Sequence, residues 1–202
     1  MVDPAPRGAP AGVAGGELRR PAAASRVAEL LPRYADDAAG LAADPDGAAS
    51  AVLDTATGTV LTEVVDTPAS GVRAALAAAA RAQTTSWLHL TGADRTRHLL
   101  ALAEALRTDV RAMGATASLT TGVPVRQAAA AAEHLADSAF STAGWADKLG
   151  WTPLPAATVG VVALVVDWRT SPTALDVSAV AALACGNAVA LRPRPQAAPL
   201  AH

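Results

Sequence analysis

The stretch Val159-Gly160-Val161-Val162-Ala163-Leu164-Val165-Val166-Asp167-Trp168 decides the fold. From Val159 to Val166 it is an apolar run with no alternating polar residue. Such a run reads as a strand covered on both faces, as in a parallel sheet. Ser171-Pro172 opens a helix that runs to Ala184, and Gly186-Asn187 ends it with a pair suited to a left-handed cap. Ala188–Leu191 is a second short buried strand. Strand, helix and strand within about 34 residues make one right-handed βαβ unit.

Moving toward the amino terminus, Thr120-Thr121-Gly122 breaks one helix, and Pro124 precedes a long one from Val125 to Lys148. The helix before the break begins after Thr91-Gly92. Leu99, Leu102, Leu106, Val110 and Met113 form its apolar stripe, with Arg95, Arg97, Glu104 and Arg107 outside. Trp87 is an anchor ahead of it. Thr67-Pro68 starts an earlier helix, a capping hydroxyl followed by proline, that runs to Ala82 and is nearly all alanine on one side. Ala51–Leu53 and Thr59–Val65 read as two strands around a turn in which Gly58 supplies the permissive backbone. Residues 1–50 are rich in alanine, proline and glycine and are expected to be a largely disordered extension, with a short helix at Ser25–Tyr34. The structured body is expected over residues 51–202.

Composition narrows the function. The chain has 202 residues, 54 of them alanine, so the core is built from small side chains with little aromatic anchoring. Net charge is −2 and the pI about 6.0, which argues against a nucleic-acid partner. Of the cationic residues only Lys148 is a lysine, and no basic run suits an acidic membrane surface. One cysteine excludes an intrachain disulfide, and the four scattered histidines argue against a metal site. Cys185, at a helix end before a buried strand, reads as a small core thiol. The amino terminus lacks the apolar core of a secretory signal, and no apolar stretch reaches the roughly 20 residues of a membrane helix. A soluble, cytoplasmic protein is expected. There is no GxGxxG and no Walker-type phosphate loop.

Five segments carry a resemblance. They are LDTATGTVLTEV (53–64), TTGVPVRQA (120–128), AGWADKLG (143–150), VGVVALVVDW (159–168) and ALACGNAVALRP (182–193). In this order and spacing they resemble the N-terminal part of the aldehyde dehydrogenase superfamily over residues 50–200. The resemblance implies an α/β fold: a partial Rossmann-like domain with one βαβ unit, preceded by a β-hairpin and three helices. It also implies a nicotinamide cofactor, NAD or NADP, beside the carboxyl end of the first βαβ strand. Val166, Trp168 and Arg192 are the positions it assigns to cofactor binding. The family oxidises aldehydes through a cysteine thiolate, with a glutamate base releasing the acid.

The departures from the family pattern shape the functional expectation. No residue here matches the nucleophile or the base, so no catalytic residue is assigned. Where the family has Pro-Trp-Asn, this chain has Asp167-Trp168-Arg169, with Arg169 expected to be solvated or paired with Asp167. Where it has Lys-Pro-Ser-Glu, this chain has Arg192-Pro193-Arg194-Pro195; Arg192 can still donate, but Pro195 cannot accept. Ten residues separate Lys148 from Val159, with Pro153 and Pro155 among them, too few for the family's long oligomerisation hairpin. The leading expectation is a truncated, non-catalytic structural or regulatory subunit that binds cofactor weakly or not at all alone. Its partner would be a full-length aldehyde dehydrogenase or a second copy of itself, covering the buried strands. The alternative is the cofactor-binding part of a split NAD(P)-dependent aldehyde dehydrogenase.

Overall fold

A computed structural model describes residues 49–151, 158–167 and 177–200. The expected extension and the helix at Ser25–Tyr34 lie outside the described residues.

Strands β1 (Ala49–Leu53) and β2 (Val60–Val65) pair antiparallel, Ala49 opposite Val65, with a register shift between Val52 and Leu53. The intervening turn closes on itself: Asp54 N–H donates to the Thr59 carbonyl, Gly58 N–H to the Asp54 carbonyl, and Ala56 N–H to the Asp54 carboxylate. Thr55 then ties this turn to a distant element. Its N–H and its hydroxyl both donate to the Leu119 carbonyl, at 3.0 and 3.1 Å. That carbonyl sits near the end of a helix, where acceptors lose their intrahelical partners.

Helix α1 spans Ala69–Thr85. Its N-cap is Pro68, which makes no side-chain cap bond, so the expected capping role of Thr67 is not realised. Thr67 is exposed, and its Cγ2 lies over Gly71, 2.9 Å from where a Cβ on that residue would stand. Gln83 is buried, while most of the alanine side is exposed.

Helix α2 runs from Gly92 to Thr121. It starts with a capping box: Asp94 N–H donates to the Thr91 hydroxyl, and Thr91 N–H donates back to the Asp94 carboxylate. Gly122, with φ 77°, ends it in the left-handed conformation. Of the expected stripe, Leu99 and Val110 are buried and Leu102 and Leu106 pack at the core's edge. Arg95 departs from expectation. It turns inward, because helix-end carbonyls lie there for its guanidinium to satisfy.

Helix α3 covers Val125–Ala143 and lines its inner face with Ala128, Ala132, Leu135, Ala136, Ala139 and Ala143. It stops before the expected Lys148, because the chain tightens from Gly144 into successive short turns. The Thr96 hydroxyl and the Lys148 ammonium cap the freed carbonyls of Ala143 and Gly144. Small residues let α2 and α3 meet backbone to backbone. A Cβ placed on Gly114 would stand 2.8 Å from the Ala129 Cα, closer than atoms approach.

Strands β3 (Val161–Val166) and β4 (Ala188–Pro193) are parallel, with Val161 opposite Ala188 and Val166 opposite Pro193. Between them lies the crossover helix α4 (Val177–Ala184); the expected start at Ser171-Pro172 lies outside the described residues. The core gathers Leu99 and Ala103 of α2, Ala139 and Ala143 of α3, Ala146, and Val180 and Ala184 of α4. The expected fold is therefore present, hairpin, three helices and one βαβ unit. The described residues cover β3 on one side: Val166 is buried, whereas Ala163 and Val165 on the other face are exposed.

Two measurements follow from this packing. Gly114→Val should destabilise by about 1–3 kcal/mol, the usual cost of forcing bulk into a close contact, read from the midpoint of urea unfolding. The second concerns acid. Hydrogen bonds from the Thr91 side chain and backbone, then the Arg97 guanidinium, hold the Asp94 carboxyl below its ordinary value. A depressed carboxyl stabilises the fold above the ordinary carboxylate range and ceases to do so as pH falls through its folded value. Asp94→Asn should therefore flatten the acid side of the stability profile, measured as urea midpoints at successive pH values.

Candidate functional site

Parallel strands put both carboxyl ends on one edge, and in open α/β sheets that edge is where ligands sit. Here the edge is made by Val166 and Asp167 after β3 and by Arg192, Pro193 and Arg194 at the end of β4. The register sorts these residues by face, since neighbours along a strand point to opposite sides. Val165 stands beside Arg192 on the open face, with Ala163 and Ala190 behind them. Val166 stands beside Pro193 on the other face and is only 6% exposed. A ligand on the open face therefore meets the Arg192 side chain directly, while Val166 has its backbone to offer. Trp168 and Arg169 lie outside the described residues.

The open face combines an apolar surface with cationic donors. Val165 is 72% exposed, an apolar surface on which a flat ring can lie, and the exposed Arg192 guanidinium gives donors for a sugar hydroxyl or a phosphate. Arg194, also exposed, adds a second cation at the same edge.

The opposite end of the unit is held by a set of donors aimed at one helix terminus. The last carbonyls of α4 have no partners within the helix. The Trp87 indole N–H donates to the Leu183 carbonyl at 2.9 Å. Arg95 Nε donates to the Ala184 carbonyl at 3.3 Å and its Nη1 to the Leu90 carbonyl at 2.7 Å. The Gln83 amide reaches the carbonyl of Gly186 at 3.2 Å, in the turn that follows. Asn187 donates its side-chain amide to the Ala182 carbonyl at 3.1 Å. Its amide oxygen accepts from the N–H groups of Val159 and Gly160, at 2.7 and 3.0 Å. Gly186, with φ 84°, makes the left-handed turn that the Gly186-Asn187 pair foretells. The convergence of Gln83, Trp87 and Arg95 on it is not visible in the sequence; the available signal is that a buried helix end needs donors from elsewhere.

Cys185 corrects an expectation. It is exposed rather than a core thiol, because the buried face of α4 carries Ala179, Val180 and Ala184 and the next residue turns outward. It also precedes β4, whereas the ligand edge follows it. A six-residue strand spans roughly 20 Å, so the thiol is remote from that edge.

Among the described residues no group of His, Cys, Asp and Glu could hold a metal ion, and no helix is long and apolar enough to cross a membrane. A groove of about 410 Å³ lies between α2 and α3, lined by Arg107, Arg111, Glu133 and Asp137 among others. Its charges alternate, and Arg107 pairs with Asp137 at 3.0 Å, so it has no net character to select a ligand.

Comparison with known proteins agrees with this architecture. Residues 43–202 match a family model described as the aldehyde dehydrogenase family. A phenylacetaldehyde dehydrogenase of Pseudomonas fluorescens is 36% identical over 165 residues, covering 70% of this chain and 32% of the relative. Among solved structures, HpcC from Thermus thermophilus shares the fold with a TM-score of 0.69 at 22% identity, covering 88% of this chain and 38% of that one. Betaine aldehyde dehydrogenase from Staphylococcus aureus, in complex with NAD+, has a TM-score of 0.65 at 21% identity, covering 75% of this chain and 32% of that one. The chain thus spans about a third of the length of the proteins it matches.

Trp87→Phe keeps an aromatic ring but removes one of the two donors on the Leu183 carbonyl, which retains the Gly186 N–H, and should cost about 0.5–1.5 kcal/mol in chemical unfolding.

Proposed function

Because the chain belongs to the aldehyde dehydrogenase family, we propose that it supplies the dinucleotide side of an NAD(P)-dependent aldehyde dehydrogenase. The observation that carries this reading is the open apolar face of β3 and β4, ending in the exposed Arg192. A nicotinamide dinucleotide held there by Arg192 and the Val166 backbone would supply the acceptor for the aldehyde's hydride. The roles of this chain's own residues are binding and orientation. Arg192 donates to the adenosine ribose or to a 2′-phosphate, the Val166 backbone borders the edge, and Val165 offers apolar contact and keeps water from the ring. Trp168 is the third position that the family resemblance assigns to the cofactor. The attacking thiolate and the base come from outside the described residues, since Cys185 sits at the far end of the sheet.

A second reading is favoured by specific residues. Arg169 stands where the family has an oxyanion-donating asparagine, and Pro195 where it has a ribose-binding glutamate. Both changes suit a structural or regulatory subunit that pairs with a full-length aldehyde dehydrogenase or with a second copy, hiding the open sheet face. In either reading the apolar face needs a cover, because exposed Val165 and Ala163 stay costly in water.

Titration calorimetry of the full chain with NAD+ and NADP+ separates the two. The cofactor reading expects saturable binding that weakens roughly tenfold or more in Arg192→Ala, the scale of a lost hydrogen bond to a charged group. No dinucleotide binding, together with a defined complex with a full-length family member in size-exclusion light scattering, would select the subunit reading.

A further inference from the structure

Parallel strands joined by a crossover helix have no tight turn to set their register. The facing segments here, VVALVV and AVALRP, are almost wholly apolar. A slip of two residues would keep every side chain on its own face, so hydrophobic pattern alone chooses weakly between registers. Such a slip would carry Arg192 along β3 by roughly 7 Å. Something else must hold the strands in place.

We propose that Asn187 is the positioning residue that sets this register and thereby places Arg192 at the ligand edge, an inference that rests on the cofactor reading above only for its functional consequence. Asn187 stands one residue before β4 and is 6% exposed. Its amide oxygen receives two successive N–H groups, those of Val159 and Gly160, from the chain entering β3. Consecutive N–H groups converging on one point form a small concave donor site that holds one acceptor atom. Gly160, at φ 107°, adopts a conformation that residues with a side chain rarely take. The next rung follows at once, Ala188 N–H to the Gly160 carbonyl at 2.9 Å, and begins the parallel ladder. Meanwhile the Asn187 amide nitrogen holds the Ala182 carbonyl, so the helix end, the start of β3 and the start of β4 meet on one side chain. The position demands a short group with both a two-bond acceptor and a donor, which among side chains of this length is asparagine. Gln83 serves as the contrast. It holds the same turn through the Gly186 carbonyl but touches neither strand's register.

The test uses the full chain. In the wild type, amide exchange at Val159 and Gly160 should be slow, and nuclear Overhauser contacts should link Val161 with Ala188 and Leu164 with Leu191. Asn187→Leu should free both amides and erase those contacts. Asn187→Asp keeps the acceptor oxygen and should retain them. Gln83→Leu should lower the melting temperature yet leave the pairing unchanged. For NAD+ affinity by calorimetry, Asn187→Leu should lose roughly tenfold or more, with Asn187→Asp and Gln83→Leu within about threefold, on the scale of one hydrogen bond. Fast exchange at Val159 and Gly160 in the wild type overturns the proposal. So does native pairing in Asn187→Leu, or lost pairing in Asn187→Asp. If Asn187→Leu does not fold, the wild-type exchange and Asn187→Asp decide. If the wild type binds no NAD+, the cofactor reading fails, while exchange and cross-strand contacts still decide the role of Asn187.

Discussion

The carbonyl end of the crossover helix is the constraint around which the rest is arranged. A helix that stops inside a protein leaves its last carbonyls without donors, and burying them unpaired is expensive. Here the turn returns the Gly186 and Asn187 N–H groups to the Leu183 and Ala182 carbonyls, Trp87 and the Asn187 amide add a second donor to each, Arg95 supplies the Ala184 carbonyl, and Gln83 holds the turn beyond. Gln83 and Arg95 come from two different helices and Trp87 from the turn between them, so satisfying one terminus also docks α1 and α2 on the βαβ unit. Arg95 adds a positive charge where the helix dipole is negative. A network in which each member is satisfied favours one arrangement over its neighbours.

This matters more in a chain built from alanine. Each alanine buries little apolar area, so hydrophobic packing offers less discrimination between alternative dockings of the same helices. The structure compensates with close approach. Gly114 against Ala129 brings α2 and α3 to backbone contact, and the alanine ladder of α3 continues it. Carbonyl capping recurs at the other helix ends: Thr55 on Leu119, and Thr96 and Lys148 at the end of α3. Large aromatic groups stay largely outside this core, with Phe140, Trp145 and Trp151 all exposed.

The sheet shows the same division between what is closed and what is left open. One face is packed, and Val166 lies within it. The other presents Ala163, Val165 and Arg192. An uninterrupted apolar strand reads from sequence as covered on both sides, and that reading describes the environment such a strand is suited to. The described residues supply half of it. The uncovered half coincides with the edge on which a dinucleotide would rest, which is why ligand binding and partner binding compete as explanations of one surface.

Element type and order were legible in the residues themselves. Proline and glycine punctuate the helices, the apolar run of 159–166 announces a strand, and Thr91-Gly92 marks a helix start, because these depend on local backbone preference and on near neighbours in the chain. The family resemblance rests on the same local segments. What only the tertiary structure decided depends on partners distant in the chain. Arg95 turns inward; Cys185 turns out; Val166 and Arg192 fall on opposite faces. Gln83, Trp87 and Arg95 lie 89 to 103 positions from the carbonyls they hold, and no pattern of neighbouring residues encodes a meeting across that distance.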